Sequence, residues 1–385
     1  MSSKPGPLYL DCNASNPIDE RVADAIADAY RNLVGNAGSP HEHGQRAKLA
    51  VQEARDQVGR VVDAKRHEVL FTSGATESNN LAILGMAAHG RSIGKTHLVG
   101  TAIEHKAVLE PLQRLGEQGF EVTLVRPSSD GRVDADALAR AIRSDTLMVT
   151  MMHVNNETGV VQPIDEVAGI AQELGVWMHV DAAQGYGREF ERLRHPGITT
   201  ISISGHKIFG PQGVGALIVR RDRNKLPPLE AVMVGGGQEL GLRSGTLPVP
   251  LIIGLGVAAE IAMNEHEDRR RKCLELRGIL ERWIEARGGV VHGSGAERLP
   301  HVVNVSFPGW DADELMESVK DYISISDGAA CTSVCATASH VLGAMGIRDP
   351  ELSGAVRWSW SHRTDTESLR EALSAVGAIL GKTNP

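Results

Sequence analysis

Short apolar runs alternate with helical patterns through the first two-thirds of this 385-residue chain, and this alternation limits the folds that it can adopt. Several runs, such as 147–149, contain no polar residues, which is typical of strands that are covered on both faces. Such strands, separated by helices, predict an α/β fold with a mostly parallel sheet wrapped by helices. The candidate strands are 68–72, 97–100, 121–126, 146–154, 176–181, 199–204 and 213–220, and the candidate helices include 77–88, 106–117 and 164–174.

The pattern changes after Pro248, where a long helical stretch over 252–286 with a charged middle precedes shorter strands. The chain is longer than one compact core usually holds, so we expect a second, smaller α/β domain. The predicted division is a large cofactor-binding domain over 16–255 and a small domain made of 1–15 and 256–385. The candidate strands of the later part are 301–307, 322–326 and 356–360.

Charge and cysteine content exclude several classes of protein. The net charge is -8 and the pI about 6.0, so we expect no direct binding of nucleic acid. The longest apolar stretch, 249–263, contains Pro250 and Glu260 and is too short to span a bilayer, so no membrane association is expected. Residues 1–7 show no signal peptide, and four cysteines are too few for a disulfide scaffold. We therefore predict a cytoplasmic protein.

Two motifs at the ends of neighbouring candidate strands indicate chemistry on an aldehyde cofactor. Lys207, in Ser-Gly-His-Lys at 204–207, follows a strand and can form a Schiff base, although alone it could equally be a solvated lysine. Asp181, in His-Val-Asp-Ala-Ala-Gln at 179–184, ends the preceding strand, where ligands of open α/β sheets bind, although it could also cap a helix. A carboxylate there can keep the pyridine nitrogen of pyridoxal 5'-phosphate protonated.

Three further turns can supply contacts. The segment Phe-Thr-Ser-Gly-Ala-Thr-Glu-Ser-Asn-Asn at 71–80 runs from a strand into a helix, whose first amides and Thr76 can hold a phosphate group. His105 stands between a strand and a helix; it can stack on a flat ring and shuttle protons, but it can also be a solvated cap. Asn-Asn-Glu-Thr-Gly at 155–159 can supply amide contacts or form only a turn.

A cysteine and an arginine near the C-terminus complete the candidate residues. Cys331 lies among small residues in Gly-Ala-Ala-Cys-Thr-Ser, which leaves a thiol accessible for nucleophilic attack. Cys335 follows four residues later, but no second Cys/His pair has matching spacing, so we predict no metal site. Arg357, in an apolar strand, needs an anionic partner, which can be a substrate carboxylate or a structural salt bridge.

Seven motifs together resemble the cysteine desulfurases, a group within the class V branch of pyridoxal-phosphate enzymes, and the resemblance covers nearly the whole chain. It implies fold type I of the pyridoxal-phosphate transferases, with a large domain and a smaller α/β domain. The Ala-Cys-Thr-Ser form is similar to the group serving iron–sulfur cluster assembly, and the Leu-Asp-Cys-Asn start resembles members tied to DNA phosphorothioate modification. The motifs are Tyr-Leu-Asp-Cys-Asn-Ala (9–14), Ser-Gly-Ala-Thr-Glu-Ser-Asn-Asn (73–80), Val-Asn-Asn-Glu-Thr-Gly-Val-Val-Gln-Pro-Ile (154–164), His-Val-Asp-Ala-Ala-Gln (179–184), Ser-Gly-His-Lys-Ile-Phe-Gly-Pro (204–211), Gly-Gly-Gly-Gln-Glu-Leu-Gly-Leu-Arg-Ser-Gly-Thr (235–246) and Gly-Ala-Ala-Cys-Thr-Ser (328–333).

The resemblance implies a cofactor-binding role for each matching residue. Lys207 would bind pyridoxal 5'-phosphate covalently and move the Cα proton. Asp181 would face the pyridine nitrogen, Gln184 the ring hydroxyl, and His105 would stack on the ring. Because one phosphate contact comes from a second subunit, an obligate homodimer is expected. The residues implied to hold the phosphate group are Ala75, Thr76, Ser204, His206 and, from the second subunit, Thr246.

The resemblance also implies the reaction. Asn155, beside the cofactor, and Arg357 would bind the carboxylate of L-cysteine, and Cys331 as thiolate would attack the substrate sulfur. The products are alanine and a persulfide, whose sulfur passes to an acceptor protein. Three features depart from the family pattern: Ala338 stands where proline is common, Cys335 is an extra thiol, and Ser361-His362 stand where Gly-Arg is common. The alternatives are a selenocysteine lyase, a class V aminotransferase, which has no use for the cysteine, and a non-catalytic partner that keeps the fold.

Overall fold

The structure is a computed structural model that describes residues 6–221, 225–327 and 339–381. Its strands are β1 (Leu8–Tyr9), β2 (Val69–Thr72), β3 (His97–Thr101), β4 (Glu121–Val125), β5 (Thr146–Met152), β6 (Trp177–Asp181), β7 (Thr200–Ser204), β8 (Gly215–Val219), β9 (Val290–His292), β10 (Val302–Ser306), β11 (Ile323–Ser324) and β12 (Ala355–Ser359). Its helices are α1 (Glu20–Asn32), α2 (Glu42–Val61), α3 (Ala75–Leu84), α4 (Ala87–Ser92), α5 (Lys106–Glu117), α6 (Ala135–Ala141), α7 (Ile164–Leu174), α8 (Val249–Asn264), α9 (His266–Glu285), α10 (Ala312–Val319), α11 (His340–Ala344) and α12 (Thr366–Leu380).

A seven-stranded sheet, in the order β2-β8-β7-β6-β5-β3-β4, lies at the centre of the larger part of the molecule. Neighbouring strands are parallel except at β8, which runs antiparallel to both β2 and β7. Every residue of β5 is buried, as expected for a strand in a parallel sheet that helices cover on both faces. The predicted α/β fold with a mostly parallel sheet is therefore confirmed.

The parallel strands end at one edge of this sheet, and this edge brings the predicted motifs together. The strands β2, β3, β5, β6 and β7 end at Thr72, Thr101, Met152, Asp181 and Ser204. The turns that follow contain the phosphate-binding candidates, the histidine candidate, the asparagine pair, the glutamine candidate and the lysine. Ligands of open α/β sheets bind outside such carboxyl ends, so the architecture predicts one shared site.

A second sheet, in the order β12-β10-β9, is antiparallel and lies in the C-terminal part. The N-terminal strand β1 pairs in parallel with β11. Leu10 belongs to an apolar cluster that also contains Leu276, Trp358 and Trp360, so both ends of the chain share a core. The domain boundaries after residues 15 and 255 stay a prediction.

The single long helix predicted over 252–286 is wrong, because the chain forms α8 and α9 with a break at Glu265. Glu265 has φ -103° and ψ 10°, outside helical values. Its carboxylate contacts Arg21 of α1 at 2.6 Å and Arg269 of α9 at 2.9 Å. The strand predicted over 322–326 is also shorter than expected, since only β11 forms there. Among the described residues, no helix is long and apolar enough to cross a membrane.

Candidate active site

A cavity of about 530 Å³ opens at the carboxyl edge of the central sheet. Its size suits a small cofactor together with a substrate, because ligand sites usually occupy roughly 300–1,000 Å³. Most of the predicted site residues line it, although they lie far apart in the sequence. These residues are Ala75, Thr76, His105, Asp181, Gln184, Ser204, His206, Lys207 and Arg357.

Lys207 lies in a short 3-10 turn, Gly205–Ile208, directly after β7. Its Nζ donates to the backbone carbonyls of Asn13 at 2.5 Å and Ala14 at 2.9 Å. Its own carbonyl oxygen accepts from the side chain of Asn16 at 2.9 Å. The lysine is therefore held at the wall of a cleft by main-chain acceptors, and it is not a solvated surface lysine.

A chain of hydrogen bonds orients the carboxylate of Asp181. Asn79 on α3 donates through Nδ2 to Asp181 Oδ2 at 2.7 Å, and the amide of Ala183 donates to Oδ1 at 3.0 Å. Because Asn79 uses its nitrogen here, its oxygen accepts from His179 Nε2 at 2.9 Å. Burial lowers the pKa of His179 to about 4, so this imidazole is neutral and Nδ1 accepts from Thr200 at 2.9 Å. Every donor in this series of hydrogen bonds therefore points towards the carboxylate of Asp181.

The turn before α3 forms a cradle for an anion. Gly74 is the residue before the helix and has φ 153°, a conformation that side chains rarely adopt. A methyl group at Gly215 would lie 2.6 Å from the Gly74 Cα, so the antiparallel β8 can approach only without a side chain there. The first amides of a helix have no intrahelical acceptor. Ala75, Thr76 and Ser204 therefore surround a space that suits a phosphate group.

Two histidines line the cavity in different roles. Burial, reinforced by the charges of Lys207 and Arg188, lowers the pKa of His206 to about 4. His206 is therefore neutral near pH 7 and can contact a phosphate group only as a hydrogen-bond partner. His105 caps α5, because its Nδ1 accepts from the amide of Ala107 at 3.1 Å. His105 is therefore a helix cap that also lines the cavity, and its stacking on a ring stays a prediction.

The structure shows one of the two arrangements that the sequence allowed for Arg357, the salt bridge. Its Nη2 contacts Asp11 Oδ1 at 2.6 Å, and its Nη1 donates to the carbonyl of Asn156 at 3.2 Å. The side chain is only 5% exposed, and it lines the cavity. Its buried Nε has no hydrogen-bond partner among the described residues. A substrate carboxylate at Arg357 would therefore compete with Asp11.

Asn155 lies in the turn after β5, but the described lining of the cavity includes only its neighbour Asn156. Its carboxamide oxygen accepts from the amides of Glu157 and Thr158, both at 2.9 Å. Its nitrogen donates to the carbonyl of Ile103 at 3.2 Å. In this structure the carboxamide holds the turn together, and its predicted contacts with cofactor and substrate stay a prediction.

The predicted nucleophile Cys331 lies outside the described residues. On one side of it a described residue contacts the cavity residue Arg357, and on the other side one contacts Glu157, next to the cavity residue Asn156. Ser326 accepts from the backbone amide of Arg357 at 2.6 Å, and Ser339 donates through Oγ to Glu157 Oε2 at 2.5 Å. The two described flanks are therefore attached to elements that build the cavity.

Thr246 is exposed and does not line the cavity of its own subunit. Its predicted contact with a phosphate group of the second subunit stays a prediction. Within the ranges that the structure describes, no group of three His, Cys, Asp or Glu side chains is arranged to hold a metal ion.

Two buried glutamates near the site were not identified from the sequence. Glu104 Oε1 accepts from Thr101 Oγ1 at 2.7 Å and from the amide of Met152 at 2.8 Å, while Oε2 is buried without a described partner. Burial raises the pKa of Glu104 to about 8 and that of Glu157 to about 7. In the sequence, each of these glutamates appears only as an acidic residue close to the end of an apolar strand. An acidic residue in a solvated turn would give the same pattern.

The polar groups of the cavity fit pyridoxal 5'-phosphate. The carboxylate of Asp181 can accept from a protonated pyridine nitrogen, and the amine of Lys207 can bind an aldehyde carbon. The cradle before α3 offers backbone amides to a phosphate group. These three kinds of group lie in one cavity, which is what a phosphorylated pyridine aldehyde requires.

Comparisons with known proteins agree with this geometry. Residues 8–370 match the family model described as Aminotransferase class-V. A cysteine desulfurase IscS of Anaeromyxobacter sp. (strain Fw109-5) is 43% identical over 96% of this chain and 91% of its own length. DndA from Streptomyces lividans is 44% identical with a TM-score of 0.81, over 92% of this chain and 99% of its own. SspA, solved in complex with cysteine, is 36% identical with a TM-score of 0.80, over 91% and 98%. The chain therefore belongs to the class V aminotransferase family and, within it, to the cysteine desulfurases, which are pyridoxal-phosphate enzymes.

Proposed function

We propose that this enzyme converts L-cysteine to L-alanine, holds the sulfur as a persulfide on Cys331 and passes it to an acceptor protein. The observation that carries the proposal is the convergence of Lys207, Asp181 and Arg357 on one cavity. The lysine and the aspartate serve the cofactor, and the arginine is a cation suited to a substrate carboxylate.

The cofactor would be held by residues at the carboxyl edge of the central sheet. Lys207 would bind it covalently through Nζ, Asp181 would accept from the pyridine nitrogen, and Gln184 would face the ring hydroxyl. His105 would stack on the ring, and the cradle at Ala75 would hold the phosphate group. Pyridoxal 5'-phosphate supplies an electron sink that stabilises negative charge on the carbon atoms of a bound amino acid.

The chain's own residues would then orient the substrate and move its protons. Arg357 would exchange its contact with Asp11 for the carboxylate of cysteine. Nζ of Lys207, freed by substrate binding, would accept the Cα proton and return a proton later. In the structure Nζ lies against the main-chain carbonyls of Asn13 and Ala14, at the wall of the same cavity that Arg357 lines.

Cys331 would act as the sulfur acceptor. Its thiolate attacks the sulfur of the bound cysteine, a sulfur–sulfur bond forms, and the carbon–sulfur bond breaks. The electron pair of the broken bond stays on the substrate carbon, which takes up a proton to become the methyl group of alanine.

A turnover assay with L-cysteine and a reductant, reading alanine and sulfide together, tests this function. We expect equal amounts of both products from the wild type and loss of both in Cys331→Ala, while the cofactor absorbance persists. Cys335→Ala is the matched control, because it removes the neighbouring thiol. If Cys331→Ala retains activity, the aminotransferase or lyase alternative replaces the desulfurase. Turnover of selenocysteine, measured in parallel with that of cysteine, distinguishes a selenocysteine lyase from a cysteine desulfurase.

We further propose that the enzyme is a homodimer in which Thr246 of each subunit contacts the phosphate group of the other. Exposed apolar side chains occur along 232–240, including Val234, which is 82% exposed, and such surface favours association. Arg243, close to this segment, contacts Glu77 of α3 at 2.9 Å, which ties the segment to the anion cradle. Val234→Asp is expected to shift sedimentation towards monomer and to weaken cofactor binding, and an unchanged dimer would contradict this.

The acceptor would be a protein of iron–sulfur cluster assembly or of DNA phosphorothioate modification, in the cytoplasm. The Leu-Asp-Cys-Asn start favours the second pathway, whereas the Ala-Cys-Thr-Ser form resembles the group that serves the first. Cys12 and Cys273 are free thiols, as a reducing compartment requires. Pull-down of DNA-sulfurating proteins by the holoenzyme supports the second pathway, and exclusive capture of an iron–sulfur scaffold contradicts it.

A further inference from the structure

Arg188 lies just outside the active site and contacts two of the residues assigned to cofactor binding. Its Nη1 donates to Gln184 Oε1 at 3.2 Å, and its Nη2 donates to the backbone carbonyl of Lys207 at 2.8 Å. Arg188 lines a separate small cavity and is not part of the described lining of the active-site cavity. It therefore reaches the active site only through other residues.

These contacts close a ring of hydrogen bonds around the lysine. Gln184 Nε2 donates to the carbonyl of Asn13 at 3.0 Å, and the same carbonyl accepts from Nζ of Lys207 at 2.5 Å. Arg188 closes the ring, because its Nη1 bonds the side chain of Gln184 and its Nη2 bonds the backbone carbonyl of Lys207. His301 Nε2 accepts from Arg188 Nη1 at 2.6 Å, which adds a third acceptor to this arginine.

The ring fixes the direction of the Gln184 carboxamide. Arg188 can only donate, so the group that faces it must be the oxygen of Gln184. The nitrogen of Gln184 then faces Asn13 and the cavity. One of its two hydrogens bonds Asn13, and the second remains for an acceptor in the cavity. Gln184 is thus locked as a hydrogen-bond donor towards the cofactor.

The charge of Arg188 is not balanced by a carboxylate in the part of the chain that the structure describes. Its acceptors there are a carboxamide, an imidazole and a carbonyl. Burial lowers the pKa of Arg188 to about 10, and Arg188 in turn contributes to the lowered pKa of His206. The guanidinium therefore contributes a positive potential at the edge of the active site.

We propose that Arg188 is a positioning residue, which locks Gln184 as a donor to the ring oxygen of the cofactor and fixes the main chain of the cofactor-binding lysine. The proposal rests on the cofactor position given above. A donor and a nearby positive charge both stabilise a negative charge on the ring oxygen. Arg188 thereby lowers the pH at which the lysine-bound cofactor loses its proton.

The test is a pH titration of the visible absorbance of the holoenzyme, which does not depend on turnover. Arg188→Met keeps the length of the side chain but removes its donors and its charge. We expect the titration midpoint to rise by about one pH unit, a tenfold change in proton affinity, and cofactor affinity to fall about tenfold, as for loss of one charge-assisted hydrogen bond. Arg192→Met is the matched control, because that arginine bonds Glu297 at the surface.

Arg188→Lys distinguishes the effect of the hydrogen-bond geometry of Arg188 from the effect of its charge. Lysine keeps the charge but lacks the planar fork that bonds two acceptors together. We expect a midpoint between those of wild type and Arg188→Met; this variant also carries the test if the methionine variant does not fold. The proposal would be overturned if Arg188→Met titrated at the wild-type midpoint. It would also be overturned if Arg188→Met shifted while Arg188→Lys kept the wild-type midpoint. Failure of cysteine turnover in the wild type would refute the proposed function alone and leave this titration interpretable.

Discussion

Glu104 gives the sharpest prediction about stability. Burial raises its pKa from the ordinary 4.5 to about 8, so the folded protein binds a proton there that the unfolded chain releases above pH 4.5. Stability from this group is therefore complete below pH 4.5, declines as pH rises and is lost above pH 8. At about 1.4 kcal/mol per pH unit, the loss between pH 5 and pH 9 is about 4 kcal/mol.

Glu104→Gln removes the titration but keeps an oxygen for the donors Thr101 and Met152. We expect the stability of the wild type to fall relative to that of Glu104→Gln by about 4 kcal/mol between pH 5 and pH 9. Urea unfolding of both proteins across this range, followed by circular dichroism, measures the difference. Glu110→Gln, exposed on α5, is the control and should show no such trend. The reasoning would be refuted if the difference in unfolding free energy between the wild type and Glu104→Gln were the same at pH 5 and at pH 9.

Three further substitutions test the site. Asn79→Ala removes the donor that orients Asp181 and should weaken cofactor binding about tenfold in an absorbance titration; unchanged affinity would contradict the hydrogen-bond chain. Gly215→Ala should press a methyl group on the anion cradle and weaken binding of pyridoxal 5'-phosphate more than that of pyridoxal, and equal losses would argue against the cradle. Asp11→Asn should lower the KM for cysteine if Arg357 binds the substrate carboxylate, and a KM that does not fall would leave Arg357 a structural role only.

The central sheet could be predicted because its signal is local. Strands covered on both faces need continuous apolar runs, and the run at 146–154 showed this directly. The pairing of β1 with β11 could not be predicted, because it joins residues more than 300 positions apart through main-chain bonds that leave no periodic pattern. The ion pair of Glu265 at the helix break could not be predicted either, because its partner Arg21 is distant in the sequence.

The site shows the same division between local and distant signals. Lys207 and Asp181 could be identified because each follows an apolar strand, and the strand-end rule places both at one edge. Asn13 and Arg188 carry no such signal, since their importance comes from bonds made across the fold. Asn155 matched the family motif, yet its carboxamide oxygen bonds amides of its own turn and its nitrogen bonds Ile103.

The most direct test of the central claim is a single turnover without reductant. The holoenzyme would be mixed with one equivalent of L-cysteine, and alanine release and the mass of the peptide containing Cys331 would be measured. We predict one alanine for each added sulfur atom, with that sulfur on Cys331 and absent from the Cys331→Ala variant. Alanine without sulfur on Cys331, or no alanine from a protein that binds the cofactor, would contradict the account.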